Sequence, residues 1–244
     1  MEMHSWYGEQ SSYIVSYIAV IPARCGSKGI PFKNIVDVCG KPLIQYTIDA
    51  AMYLKRKRIL DDVIVSTDCE KIAQISKNLG ASVPFLRPSN ISDVKSTSVE
   101  YLLHMLEHFE SNNVFYDSIV LLQPTSPLRT VKDIESSIQA FELNKSNSLI
   151  SVYKEESINS LLMYKKNGEN AVPLDNFHNT GIRRQDYEDI YIRNGAIYIV
   201  DSLYIKHNKR IVSSRPIMYE MSKVKSINID TNDDLFLARS VICR

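Results

Sequence analysis

The stretch YIAVIPARCGSKGIPFKN, residues 17 to 34, joins an apolar run to a loop with two glycines and three cations, Arg24, Lys28 and Lys33. Cations this close together suit an anion with several negative oxygens, because charged donors make the shorter and stronger hydrogen bonds. Gly26 and Gly29 allow positive φ, which turns backbone N–H groups together into a nest for an anion. A polyphosphate is the natural guest. The spacing is neither GxGxxG nor GxxxxGK(S/T), and the next helix starts only after a further GKP turn at 40 to 42. The dinucleotide and Walker readings therefore both fail.

Such a loop works when it leaves the carboxyl end of a buried strand, where open α/β sheets bind their ligands. The chain supplies six apolar, β-branched runs: SYIAVI (16 to 21), DVIVS (62 to 66), SIVLLQ (118 to 123), SLISV (148 to 152), AIYIV (196 to 200) and SINI (226 to 229). Runs this apolar fit strands covered on both faces. Helical patterns separate the first four: Pro42 to Leu54, Glu70 to Leu79, Thr97 to Phe109 and Val131 to Leu143. The alternation predicts parallel pairing and a three-layer α/β/α, Rossmann-like sheet. It fails between residues 153 and 189, a polar stretch with NG at 167 and 168, which reads as an inserted hairpin or arm before the sheet resumes at Ile190. Residues 1 to 15 read as an N-terminal extension and 16 to 244 as one domain.

Composition narrows the function classes. A formal charge of +1 over 244 residues excludes the broad basic excess of a nucleic-acid or anionic-membrane binder, so phosphate affinity must be local. No run is long enough to span a membrane, and the opening lacks a secretory pattern, so the expectation is a soluble, cytoplasmic protein. Cys25, Cys39, Cys69 and Cys243 have no CxxC spacing and read as reduced thiols. His104 and His108, four apart on a helix, lack a third metal ligand and read as a solvated face, as does KRKR at 55 to 58.

IPARCGSKGIPFKN, GKPLIQYTIDAA, DDVIVSTD, LRPSNISD, LLQPTSPLR, RRQD, NGAIYI and IDTNDDL follow one another between about Tyr17 and Ala238. Together, in this order, they resemble the acylneuraminate cytidylyltransferases, the CMP-sialic acid synthetase family. The resemblance implies transfer of CMP from CTP to an acidic nine-carbon sugar with release of pyrophosphate. It also implies dependence on Mg2+ or Mn2+, and a homodimer whose arm reaches the partner's sugar pocket. A legionaminic, pseudaminic or ketodeoxyoctonic acid is the alternative acceptor.

The resemblance places CTP over Arg24, Gly26, Ser27, Lys28, Lys33 and Asn34, with Arg87 and Asp93 beside the nucleotide. Cys25 stands where the family often has glycine. Gln123 and Thr125 leave the central strand through two prolines, and by resemblance they face the sugar with Arg184, Gln185, Asn194 and Tyr198. A carboxylate substrate needs a cation, and by resemblance Arg184 matches the family position for it better than Arg183. Ser126 is expected to turn outward with its neighbours, and Arg129 reads as a helix-start cation. Where the family carries two aspartates for the divalent ion, this chain has Asn228 and Asp230, which strand alternation puts on one face. Arg24, Lys28 and Asp230 are the catalytic candidates. The neutral Asn228 leaves open a second class, a weakened nucleotide-sugar binding protein.

Overall fold

The computed structural model describes residues 15–27, 29–93, 95–156, 160–178, 181 and 188–243. In chain order the elements are β1 (Tyr17–Pro22), β2 (Asp37–Val38), β3 (Lys41–Pro42), α1 (Leu43–Arg56), β4 (Asp62–Ser66), α2 (Glu70–Asn78), α3 (Ser98–Ser111) and β5 (Ser118–Leu122). They continue with α4 (Val131–Asn144), β6 (Ser148–Glu155), β7 (Tyr164–Asn167), β8 (Asn170–Pro173), β9 (Ile190–Asp201), α5 (Ser202–Asn208), β10 (Ile217–Glu220) and α6 (Asn232–Ile242).

One six-stranded sheet runs in the order β10-β6-β9-β5-β1-β4. Alternation along β1 builds both layers around it: Tyr17, Ala19 and Ile21 pack with α1, α2 and α4, whereas Ile18 and Val20 pack with α3 and α5. Ile18 and Ile21 are wholly buried, and each such side chain contributes about 2 kcal/mol of transfer free energy. Threonine caps start three of the helices: Thr97 with Glu100, Thr130 with Asp133 and Thr231 with Asp234 each close a reciprocal capping box.

The expected parallel pairing holds for β1 with β4 and β5, and for β10 with β6, but β9 is antiparallel to both neighbours. The reason is connectivity: the chain leaves β6 at the carboxyl end of the sheet and returns from that same end, with no crossover helix to carry it back. The intervening segment holds the hairpin β7–β8, which turns through Gly168 (φ +60°) and Glu169, while Asn167 closes β7 opposite Asn170. SINI forms no strand. Residues 224–226 make a 3-10 turn and 227–230 are irregular, while β10 takes the sheet edge that the sequence reading left empty.

The cysteines depart from the expectation of four reduced thiols. Cys39, in the β2–β3 turn, is bonded to Cys243 at the end of α6. Packing explains this: Val38 and Leu43 share a small core cluster with Ile229, Leu235 and Ala238, which brings α6 onto the turn. The two histidines are not a solvated face either, since both rings pack on Phe85, at 4.8 and 4.6 Å between centroids.

Because the bond joins residues 204 apart, its loss frees a long stretch of unfolded chain. Cys243→Ser, or dithiothreitol on the unaltered protein, is expected to lower the unfolding free energy by about 3 kcal/mol. Urea unfolding checks it, and identical midpoints with and without reductant would remove this bond from the account of stability.

Candidate active site

The loop after β1 is held from three sides. Buried Asn34 donates from Nδ2 to the Arg24 carbonyl (3.1 Å), and Asp68, just past β4, accepts the Cys25 N–H (2.7 Å). Lys33 reaches the C-terminal segment, where Nζ donates to the Ile229 carbonyl (2.9 Å) and to the Asp230 carboxylate (2.7 Å). Neither Gly26 nor Gly29 has positive φ, contrary to the nest geometry expected of them. Gly29 is required for a different reason: a Cβ there would collide with the carbonyl oxygen of Asp230, whereas one on Gly26 meets nothing within 4 Å.

A cleft of about 310 Å³ opens at the carboxyl ends of β1, β4 and β5. Its walls are Pro22, Arg24, Lys33 and Asn34 from the first loop, and Gln123, Pro124 and Thr125 from the end of β5. The third wall comes from the segment entering α3: Arg87, Asp93, Ser96, Ser98 and Tyr101. Arg87 is buried, donates to the Ser66 side chain (3.1 Å) and carbonyl (2.5 Å), and lies over the Tyr101 ring at 4.4 Å. Desolvation lowers its pKa, and the nearby Arg24 charge acts in the same direction. Asp93 folds its own turn, accepting from the Ser96 hydroxyl and from the N–H groups of Lys95 and Ser96. Those bonds, led by the Ser96 hydroxyl, hold its carboxyl below the usual carboxylate range.

At the end of β5 the expectations divide. Gln123 is half-buried and lines the cleft, as does Thr125, whose hydroxyl finds no partner among the described residues. Ser126 turns inward and is fully buried, not outward as expected. Arg129 is no surface cation: it is buried, and donates to the carbonyls of Gln123 (3.2 Å) and Ala196 (2.7 Å) and to the Thr47 hydroxyl (2.7 Å). Asn194 is also turned inward, accepting from the Ser151 hydroxyl (2.5 Å) and the Ala196 N–H (3.1 Å) and donating to the Ser226 hydroxyl (2.9 Å). Those bonds tie β9 to β6 and to the turn at 224–226, and Asn194 does not line the cleft. Tyr198 packs against the core cluster beneath α3 and is not among the cleft-lining residues.

Asn228 and Asp230 meet without a strand to align them, the Asn228 amide donating to Asp230 Oδ2 at 2.5 Å. Asn228 Oδ1 is buried without a partner, so a hard oxygen is left over beside a carboxylate. Among the described residues no group of three or more His, Cys, Asp or Glu could hold a metal ion, so any ion here needs further oxygens from water or a bound anion.

The structure thus gathers Arg24, Lys33, Asn34, Arg87, Asp93, Gln123 and Thr125 around one cleft, with Asp230 tied to it through Lys33. Gly26 and Ser27 belong to the same loop but do not line the cleft, and Lys28, Arg184 and Gln185 lie outside the described residues. Sequence reasoning missed Tyr101, Ser96 and Ser98 on the cleft wall, and the buried role of Arg129. An aromatic in the first turn of α3 was the one available signal.

Residues 18–242 match the cytidylyltransferase family. The chain is 36% identical over 221 residues to an N-acylneuraminate cytidylyltransferase of Streptococcus agalactiae, covering 89% of this chain and 51% of that protein. It therefore spans about half the length of these streptococcal relatives. It is 34% identical to a CMP-N,N'-diacetyllegionaminic acid synthase of Legionella pneumophila (92% of this chain, 95% of that one). It is 31% identical to a pseudaminic acid cytidylyltransferase of Campylobacter jejuni (91% and 94%). A similar fold is found in a CMP:2-keto-3-deoxy-manno-octonic acid synthetase solved with CTP, with a TM-score of 0.68 at 18% identity over 93% of this chain and 98% of that one.

The two loop glycines make a matched pair of tests. Gly29→Ala must push the loop off Asp230 and is expected to cost about 1–3 kcal/mol of stability, whereas Gly26→Ala, with open space around it, stays within about 0.5 kcal/mol of the parent. Equal thermal unfolding of the two variants would sink the close-approach assignment.

Proposed function

The chain belongs to the cytidylyltransferase family, and from that premise we propose that it transfers CMP from CTP to the anomeric hydroxyl of a nonulosonic acid, releasing pyrophosphate. The observation that carries the reading is the single cleft in which Arg24, Lys33 and Arg87 converge beside Gln123 and Thr125. Attack of a sugar hydroxyl on the α-phosphate asks for alignment and charge neutralisation, and needs no nucleophilic side chain. Arg24 and Lys28 face the triphosphate in this reading, and Arg87 holds the nucleoside end against Tyr101. Gln123, Thr125, Arg184 and Gln185 address the sugar, an amide being suited to both donating and accepting with hydroxyls.

Asp230 and Asn228 fit a divalent ion as one carboxylate and one amide oxygen, with phosphate oxygens completing the set. When bound, Mg2+ or Mn2+ supplies further charge neutralisation at the phosphates. Asp230 accepts the proton of the attacking hydroxyl, and Lys33 orients that carboxylate from 2.7 Å.

The arm reading extends to assembly. Leu162, Met163, Tyr164, Val172, Leu174 and Phe177, on or beside the β7–β8 hairpin, are exposed apolar side chains, which supports a homodimer in which the arm meets the partner's sugar pocket. Sedimentation as a monomer at working concentration would remove this part. No described helix is long and apolar enough to cross a membrane.

The test is pyrophosphate release from CTP and Mg2+ with N-acetylneuraminic, legionaminic, pseudaminic and ketodeoxyoctonic acids offered separately. Release with one of them is expected, and Arg24→Ala should cut kcat/KM at least about 100-fold. Asn228→Asp should lower the Mg2+ concentration needed for half-maximal rate, since it adds a second carboxylate. CTP binding without release from any acceptor would replace the enzyme reading with that of a nucleotide-sugar binding protein.

A further inference from the structure

Cys25, in the loop after β1, and Cys69, the N-cap residue of α2, place their sulfurs 3.0 Å apart. Both are free thiols, Cys69 buried and Cys25 half-buried. Their backbones are pinned independently: the Cys25 N–H donates to Asp68 (2.7 Å) and the Cys69 N–H to the Thr67 hydroxyl (3.1 Å). The approach is therefore built into the two loop ends. A disulfide bond is about 2.05 Å long, so closing it asks the sulfurs to move together by about 1 Å.

We propose that Cys25 and Cys69 form a reversible oxidation site, at which a peroxide converts the dithiol to a disulfide and tethers the nucleotide loop to the start of α2. Cys25 sulfur gives up its proton as it attacks one peroxide oxygen, the O–O bond breaks, and the departing hydroxide takes that proton to leave as one water while Cys25 becomes a sulfenic acid. Cys69 sulfur then attacks Cys25 sulfur, the S–O bond breaks, and a second water carries off the Cys69 proton. In sum, two thiols and one peroxide give one disulfide and two waters, and a dithiol reductant reverses it.

The hydrogen bond that the Cys25 thiol donates to Cys69 sulfur, then desolvation, pushes the Cys25 thiol up to about 11. Arg24, one residue before Cys25, lines the cleft, so drawing Cys25 toward Cys69 displaces a residue of the cleft wall. That consequence rests on the nucleotide reading above; the oxidation itself does not.

The experiment treats the unaltered chain with hydrogen peroxide, removes the excess, blocks free thiols and digests with trypsin. The expected product links peptide 25–28 to peptide 59–71 with loss of two hydrogens. CTP affinity should fall at least about fivefold, recover with dithiothreitol, and stay at the reduced value in Cys69→Ser, which keeps a good N-cap. Absence of the linked peptide overturns the site. A linked peptide with unchanged CTP affinity overturns its control of the loop. A protein that binds no CTP even when reduced refutes the nucleotide reading instead, and the linked peptide still decides the oxidation site.

Discussion

A guanidinium sealed inside the fold without a carboxylate in contact governs how the cleft is assembled. Moving one charge out of water costs several kcal/mol even after relaxation, so Arg129 persists only where the surroundings supply well-placed acceptors. Burial pushes its pKa down to about 9, with the charge of Asp133 opposing, so the group remains cationic at neutral pH. Its acceptors belong to three segments that are remote in sequence: the end of β5, the bend in β9 and the middle of α1. Any rearrangement of one segment strands a buried cation, which fixes the three relative to each other.

The remaining walls follow from that anchor by short steps. With the β5 end fixed, the Thr125 carbonyl accepts the Ile229 N–H at 2.8 Å, and this sets the irregular stretch that carries Asp230. Asp230 in turn meets the loop after β1 through Lys33 and through the close passage of Gly29. On the far side, Lys225 bonds both oxygens of Asp133 at 3.0 Å, tying the same C-terminal stretch to the first turn of α4. The C-terminal segment is thus clamped at both ends by groups that the central sheet positions.

Much of this was legible beforehand, and the residues show why. β1, β4 and β5 announce themselves by unbroken apolar runs, and four helices by their periodicity, because those signals are local. The loop at 22 to 34 could be placed beyond β1 from the sequence, but the nest read from its glycines is not the geometry they adopt. The direction of β9 was hidden, since strand polarity depends on where a connection returns and not on composition. The Cys39–Cys243 bond joins positions 204 apart, a distance across which spacing carries no information. Arg129 was misread for the opposite reason: beside a helix start a solvated cation is the ordinary case, and only three-dimensional packing brings three acceptors to its two terminal nitrogens. Asn194 teaches the same lesson, a polar residue in a strand whose amide is consumed by Ser151, Ser226 and the backbone.

The register of β6 against β9 shifts between Ile150 and Val152, opposite a stretch where Gly195 takes a φ of +75°. On one side of that irregularity β9 lies between β5 and β6, while on the other Ile190 to Arg193 pair with β6 alone. The same strand is therefore split into a part whose neighbours tolerate no change and a part that hangs from a single partner. Substitutions and length changes beyond the shift therefore load only the β6 edge of the strand and leave its β5 edge untouched.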